Sequence, residues 1–159
     1  ETLKLPEAKI MKEVAIVPGV DGRKMSKSYG NTIPLFADSA TVKKAVMSIV
    51  TDSKTPEEKK DPETCNIFAL HKLFLSGEEL ENLRSRYING GLGYKESKDM
   101  LFDEIEKYFA PMREKRKMYE ENPGLVLDIL KDGKSKIHNL VNSKIADVRK
   151  AVGVELYDN

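Results

Sequence analysis

A mainly α-helical fold, with a short β/loop segment leading into an antiparallel helical bundle, is predicted by three features of this 159-residue chain. Apolar residues recur at helical spacing in successive stretches after Pro34. Glycine, proline and asparagine break those stretches at short intervals. The β-prone run Val14-Ala-Ile-Val17 lies ahead of them all and ends at once in Pro18-Gly19.

The elements follow in order. Val20-Asp-Gly22 is a turn signal, and Arg23-Lys-Met-Ser-Lys-Ser-Tyr-Gly-Asn31 is a polar, basic loop. Val42, Ala45, Val46, Ile49 and Val50 then share one helical face, with Asp38 or Ser39 as cap. The charged stretch from Asp52 to Pro62 contains two prolines and reads as a loop. Ile67, Leu70 and Phe74 mark a second helix, and Ser76-Gly-Glu-Glu79 is a capping-box pattern opening a third, through about Tyr87. After the break Asn89-Gly-Gly-Leu-Gly93, Leu101, Ile105, Tyr108, Phe109 and Met112 define the longest helix, which Pro111 should kink or divide. Asn122-Pro123 restarts a short helix that Gly133 should close. Ile137, Leu140, Val141, Ile145, Val148 and Val152 form a last stripe, stopped by Gly153.

Composition excludes several classes. Hydrophobic residues make up 40% and charged residues 33%, with seven prolines and ten glycines, so collagen, low-complexity and wholly disordered readings fail. No apolar run approaches the roughly 20 residues of a membrane span. No signal peptide or initiator Met opens the chain, so it is expected to begin inside something longer or to have been processed. Cys65 alone excludes an internal disulfide and fits a reducing compartment, and with His71 and His138 it makes no metal-ligand spacing. Cys65 reads as packing, His71 as a half-buried helix residue, His138 as facing RNA or solvent, and Met100 and Met112 as core fill.

Chemistry concentrates in Lys24-Met-Ser-Lys-Ser28. Two lysines three residues apart are point charges suited to phosphate. Serine hydroxyls and loop N–H groups can donate to the same oxygens, and Gly22 and Gly30 bracket the loop. Such a loop can close on a triphosphate and stabilise departing pyrophosphate electrostatically. A lone pair of lysines at this spacing is usually only a solvated basic loop. Five matching residues after a strand-like run and before helices shift that balance.

The five residues are similar to the KMSKS signature of class I aminoacyl-tRNA synthetases. With its flanks, Asp21-Gly-Arg-Lys-Met-Ser-Lys-Ser-Tyr-Gly-Asn-Thr-Ile33 closely resembles bacterial-type tryptophanyl-tRNA synthetases. The resemblance extends over nearly the whole chain, through Leu3-Lys-Leu-Pro-Glu-Ala8, Ile10-Met11, Ile49-Val-Thr-Asp-Ser53, Asp61-Pro62, Asn66 and Gly93-Tyr94. It continues through Phe109-Ala-Pro-Met-Arg-Glu-Lys-Arg116 and Val148-Arg-Lys-Ala-Val-Gly153.

This resemblance implies a fragment from the C-terminal half of such an enzyme. Residues 1–36 would be the end of its Rossmann-type catalytic domain with the KMSKS loop, and residues 37–159 its helical anticodon-recognition domain. Lys24, Met25, Ser26, Lys27 and Ser28 would bind ATP, which arrives with Mg2+. Lys27 would be the chief catalytic cation during adenylate formation and Lys24 would assist. Ile10 would offer a backbone contact to adenine, while Asn31 would shape the exit of the loop. The family's His-x-Gly-His signature, and the Rossmann half carrying it with the tryptophan pocket, have no counterpart in these residues. The isolated chain is therefore expected to be inactive, to bind no cofactor and to be monomeric. The intact enzyme would be a cytoplasmic homodimer working on tryptophan, ATP and tRNA(Trp), with no membrane partner.

Ten basic residues lie between Arg113 and Lys150 against six acidic ones, an excess hidden by the overall net charge of +1. Such a region suits RNA phosphates, although solvated faces with paired charges look the same in sequence. The resemblance favours anticodon-stem contact, with Arg113, Arg116, Lys117, Lys134 and Lys136 as its residues. Lys134-Ser-Lys136 departs from the small residue and arginine that relatives often have there. The rivals are a tyrosyl-tRNA synthetase fragment, a non-catalytic helical tRNA-binding module and a helical protein-interaction domain.

Overall fold

The computed structural model describes residues 2–11 and 14–154, and its helices are α1 (Ser39–Met47), α2 (Asn66–His71), α3 (Gly77–Asn89), α4 (Tyr94–Glu121) and α5 (Pro123–Ala151). Two compact units share the chain. One holds Ile10–Glu114, and the other holds the residues up to Lys9 together with those from Lys115 onward. Glu1 and the residues beyond Val154 lie outside the described part.

The first unit has two apolar clusters. Ile33, Val42, Val46, Ile49, Ile67, Leu70, Leu101 and Ile105 form the larger, so α1, α2 and α4 meet there. Val17, Val20 and Met25 pack onto it, which places the loop segment on the same core as the helices. Phe68, Leu83, Tyr87 and Leu92 form the smaller cluster and bring in α3. On the helices, burial follows the i, i+4 spacing of the sequence at Val42 and Val46 on α1 and at Leu101 and Ile105 on α4, while Ile33, Ile49 and Leu92 enter the clusters from outside the helices.

Helix starts are set by side chains. Asp38, rather than Ser39, caps α1: one carboxylate oxygen accepts from the Thr41 N–H at 2.9 Å and the other from the Thr41 hydroxyl at 2.7 Å. Asn122 caps α5 by accepting from the Leu125 N–H at 3.3 Å, with Pro123 at the first helical position. Ser76 occupies the cap position of α3, but its hydroxyl makes no capping bond, so the expected box is not closed.

Several expectations are corrected. Among the described residues there is no β-strand. The β-prone run contributes only a single antiparallel bridge, Pro18 to Lys24. Pro18 has no N–H to give and the chain turns back immediately after it, so no ladder can grow. Pro111 does not divide the long helix. Its ring lies on an exposed face, where water can serve the Lys107 carbonyl that loses its partner. Gly133 does not close a helix either, because α5 runs through it to Ala151. A helix-interior glycine costs only about 1 kcal/mol relative to alanine, and Gly133 does not adopt the positive φ of a helix-ending glycine. Helix α2 stops at His71, short of Phe74, which follows on a turn and packs edge-on against Tyr108 and Phe109.

His71 is fully buried rather than half-buried. One ring nitrogen, Nδ1, lies 2.8 Å from the Glu104 carboxylate. The other, Nε2, lies 3.1 Å from the Ser97 carbonyl and 3.2 Å from the Ser97 hydroxyl. Tyr87 hydrogen-bonds the same hydroxyl at 2.6 Å, and Cys65 approaches the Tyr87 oxygen at 3.8 Å. This network stitches α2, α3 and α4 together. Met112 is exposed rather than core fill, whereas Met100 packs against the smaller cluster.

A candidate phosphate-binding loop and basic helices

The loop is built on a tight reversal. The Gly19 N–H donates to the Arg23 carbonyl at 2.7 Å, and the Met25 N–H to the Val17 carbonyl at 2.8 Å. Asp21 fixes the reversal by accepting from the Arg23 N–H at 3.0 Å and from its guanidinium at 2.7 Å. The Arg23 guanidinium also lies 4.8 Å from the centre of the Tyr29 ring. Asn31 then returns underneath. Its amide donates to Asp21 at 2.7 Å and to the Lys24 carbonyl at 3.2 Å, and its Oδ1 accepts from the Ser26 N–H at 2.8 Å. Asn31 is 2% exposed. The Asn31 amide, and then Arg23, hold the Asp21 carboxyl below the usual aspartate range.

These bonds give the motif two sides. Met25 turns inward onto the core, and Ser26 is half-buried. Lys24, Lys27 and Ser28 are exposed, and among the described residues neither lysine ammonium has an ion-pair partner. Lys27–Tyr29 is a 3-10 turn, capped at its start by Ser26, whose hydroxyl accepts from the Ser28 N–H at 3.3 Å. Gly30 ends it at φ 65°, the left-handed region that favours glycine. The segment is tied to the helices through the Val50 N–H, which donates to the Val20 carbonyl at 2.8 Å. Ile10 is exposed, with 75% of its surface open to solvent.

The basic residues divide into two groups. Arg113 is already engaged. Its guanidinium grips Glu106 through two bonds, at 2.9 and 2.7 Å, and donates to the Leu35 carbonyl at 2.8 Å. Arg113 accordingly holds Glu106 below the ordinary carboxylate range. Arg116, Lys117, Lys134 and Lys136 are exposed and belong to the second unit. Arg116 pairs with Glu120 at 2.7 Å and Lys136 with Asp132 at 2.6 Å, one helical turn along in each case. Lys131, Lys134, Ser135 and His138 line one polar face of α5. The opposite character runs beside it, since Leu130, Ile137 and Leu140 are all exposed.

Two polar arrangements lie outside the sequence reading. Tyr94 donates to Asp52 at 2.7 Å beside a cleft of about 240 Å³ that Asp61, Thr64 and Asn66 also line. Burial, and then Asp52, push the Tyr94 phenol up. The Asp21–Asn31 pair is the second. The sequence carried a partial signal for it, because Asn31 stood out at the exit of the loop, but its partner ten residues back did not. Among the described residues no three of His, Cys, Asp or Glu come together as metal ligands, and no helix is long and apolar enough to cross a membrane.

The segment that carries this loop and the helices up to the middle of α4, residues 1–110, matches a family model described as "tRNA synthetases class I (W and Y)". The chain belongs to that family. Its curated relatives narrow the likeness to the tryptophan members. It is 42% identical over 154 residues to the tryptophan–tRNA ligase of Rhodopirellula baltica, covering 97% of this chain and 48% of that one. It is 43% identical over 155 residues to the tryptophan–tRNA ligase of Bordetella parapertussis, covering 97% of this chain and 34% of that one. The solved structure of Campylobacter jejuni tryptophanyl-tRNA synthetase complexed with ADP and tryptophan superposes with a TM-score of 0.82 at 42% identity, over 96% of this chain and 48% of that one. The chain thus spans a third to a half of the length of the relatives it matches.

Proposed function

We propose that this chain is the C-terminal portion of a tryptophan–tRNA ligase, supplying its ATP-closing loop and its anticodon-recognition helices. One observation carries the reading: Lys24 and Lys27 stand exposed and, among the described residues, without ion-pair partners, on a loop whose backbone is fixed from beneath by Asn31. In the intact enzyme a tryptophan carboxylate oxygen attacks the α-phosphorus of ATP, forming the acyl-adenylate as the bond to pyrophosphate breaks. The leaving group gains negative charge, and two ammonium groups held on a loop favour that charge more than they favour bound ATP. Lys27 is the principal cation, and Lys24 assists. Met25, Ser26 and Ser28 complete the loop, Ile10 contributes a backbone contact to the adenine, and magnesium travels with the nucleotide.

Residues 1–36 then belong by role to the Rossmann-type catalytic domain and residues 37–159 to anticodon recognition. That division is one of role, because Val17, Val20 and Met25 share a core with α1, α2 and α4. In the second unit Arg116, Lys117, Lys134 and Lys136 offer exposed cations for the tRNA(Trp) backbone. Arg113 joins them only if its grip on Glu106 opens. The working enzyme is a cytoplasmic homodimer.

Two measurements test the reading. The purified chain, without the tryptophan pocket, is expected to give no tryptophan-dependent ATP–pyrophosphate exchange above background; exchange by the chain alone would sink the assignment. It is also expected to bind tRNA(Trp), more weakly as salt rises and more weakly again when the anticodon is substituted. With four phosphate contacts, log K should fall against log salt with a slope of about −3 to −4. Binding indifferent to the anticodon would remove anticodon recognition from these helices, and no salt dependence would favour a protein-interaction domain.

A further inference from the structure

We propose that Asn31 and Asp21 form a latch that sets the position of the two phosphate-binding lysines, making Asn31 a positioning residue for the reaction. The inference rests on the functional reading above and extends it to residues that do not touch the nucleotide.

Asn31 uses its whole amide on the loop backbone and on one carboxylate. Its oxygen takes the Ser26 N–H, immediately before Lys27, and its nitrogen takes the carbonyl of Lys24 itself. The amide's second donor goes to Asp21, which in turn clasps Arg23, the residue before Lys24. Two of the three bonds therefore end at Lys24 or beside Lys27, and the third reaches Arg23, the neighbour of Lys24, through Asp21. Asn31 is 2% exposed, so water cannot substitute for these bonds without opening the loop. Its own backbone carbonyl accepts from the Val20 N–H at 3.0 Å, anchoring the latch to the segment packed on the core. Gly19 is fitted to the same contact, since a Cβ there would stand 2.4 Å from the Asn31 amide nitrogen.

Only an asparagine serves all three bonds. Aspartate at position 31 still accepts from Ser26 but loses both donors and sets a second carboxylate against Asp21. Alanine loses everything. Released in either way, the loop backbone carries Lys24 and Lys27 off their positions, and a displacement of about 1 Å can cost on the order of 100-fold in rate.

The test uses the full-length ligase carrying this segment and measures tryptophan-dependent ATP–pyrophosphate exchange. Asn31→Ala is expected to lower kcat by about 100-fold while leaving KM for tryptophan unchanged. Placed in a Lys27→Ala background, the same substitution should cost far less, because the group it positions is already gone. Equal losses in both backgrounds would reduce Asn31 to a fold support and overturn the proposal. Should Asn31→Ala fail to fold, Asn31→Asp, which keeps the volume, takes its place. Adding Asp21→Asn to it exchanges carboxylate and amide and should recover at least about ten-fold, one to two hydrogen bonds' worth. A double variant no better than Asn31→Asp alone overturns the latch. If Lys27→Ala by itself leaves exchange intact, the functional reading fails first and takes the latch with it.

Discussion

Replacing Lys27 by alanine in the full-length ligase is expected to lower kcat for pyrophosphate exchange by about 10²–10³-fold, the range for loss of one preorganised group that meets developing charge. Lys27 opens the 3-10 turn, between the capping Ser26 and the left-handed Gly30, so its backbone is constrained from both sides. Lys24 lies in the bridge to Pro18, with its carbonyl accepting from Asn31, and as the assisting cation its replacement should cost less. KM for tryptophan should stay within a few-fold in both variants, because neither lysine meets the amino acid. Lys27→Arg should recover only part of the rate, since a planar fork does not reproduce a compact point charge. A Lys27→Ala enzyme with undiminished kcat would remove the loop from the chemistry.

Replacing His71 by alanine is expected to destabilise the chain by about 3 kcal/mol. Two effects add: a cavity opens between α2 and α4, and Glu104 and Ser97 lose their partner. The free energy of urea unfolding reads this directly. Ser97→Ala removes the hydroxyl that joins His71 to Tyr87, and its effect should fall short of additive with that of His71→Ala. A loss under about 1 kcal/mol for His71→Ala would mean that the network is dispensable and that the helices are held by apolar packing alone.

How much of this was legible beforehand depended on whether the determinants were local. The five-residue loop signature is contiguous, and the caps Asp38 and Asn122 act within three residues, so all could be read along the chain. Val42 and Val46 on α1 and Leu101 and Ile105 on α4 were readable for the same reason, whereas Ile49 and Val50 fall beyond the end of α1, and Val50, Tyr108 and Met112 are exposed. The burial of His71 was not, because Glu104 lies 33 residues away and only the fold brings them together. The Asp21–Asn31 pair escaped likewise, although Asn31 alone drew notice. Pro111 and Gly133 misled in the opposite direction. Both are helix breakers by propensity, yet one sits where water repairs the damage and the other costs little in a long helix. The β-prone run failed because a strand needs a partner, which local preference cannot supply.

The close approach at Gly19 has an evolutionary consequence. A Cβ there would stand 2.6 Å from the Asn31 carbonyl oxygen, a backbone atom that every residue at position 31 would present in the same place. No substitution at position 31 can therefore compensate for one at position 19. The two positions cannot drift as a covarying pair, and the entrance to the loop is closed to side chains by main-chain geometry alone. A descendant lineage could abandon the amide latch step by step, but it could give up the glycine only by rebuilding the path of the backbone.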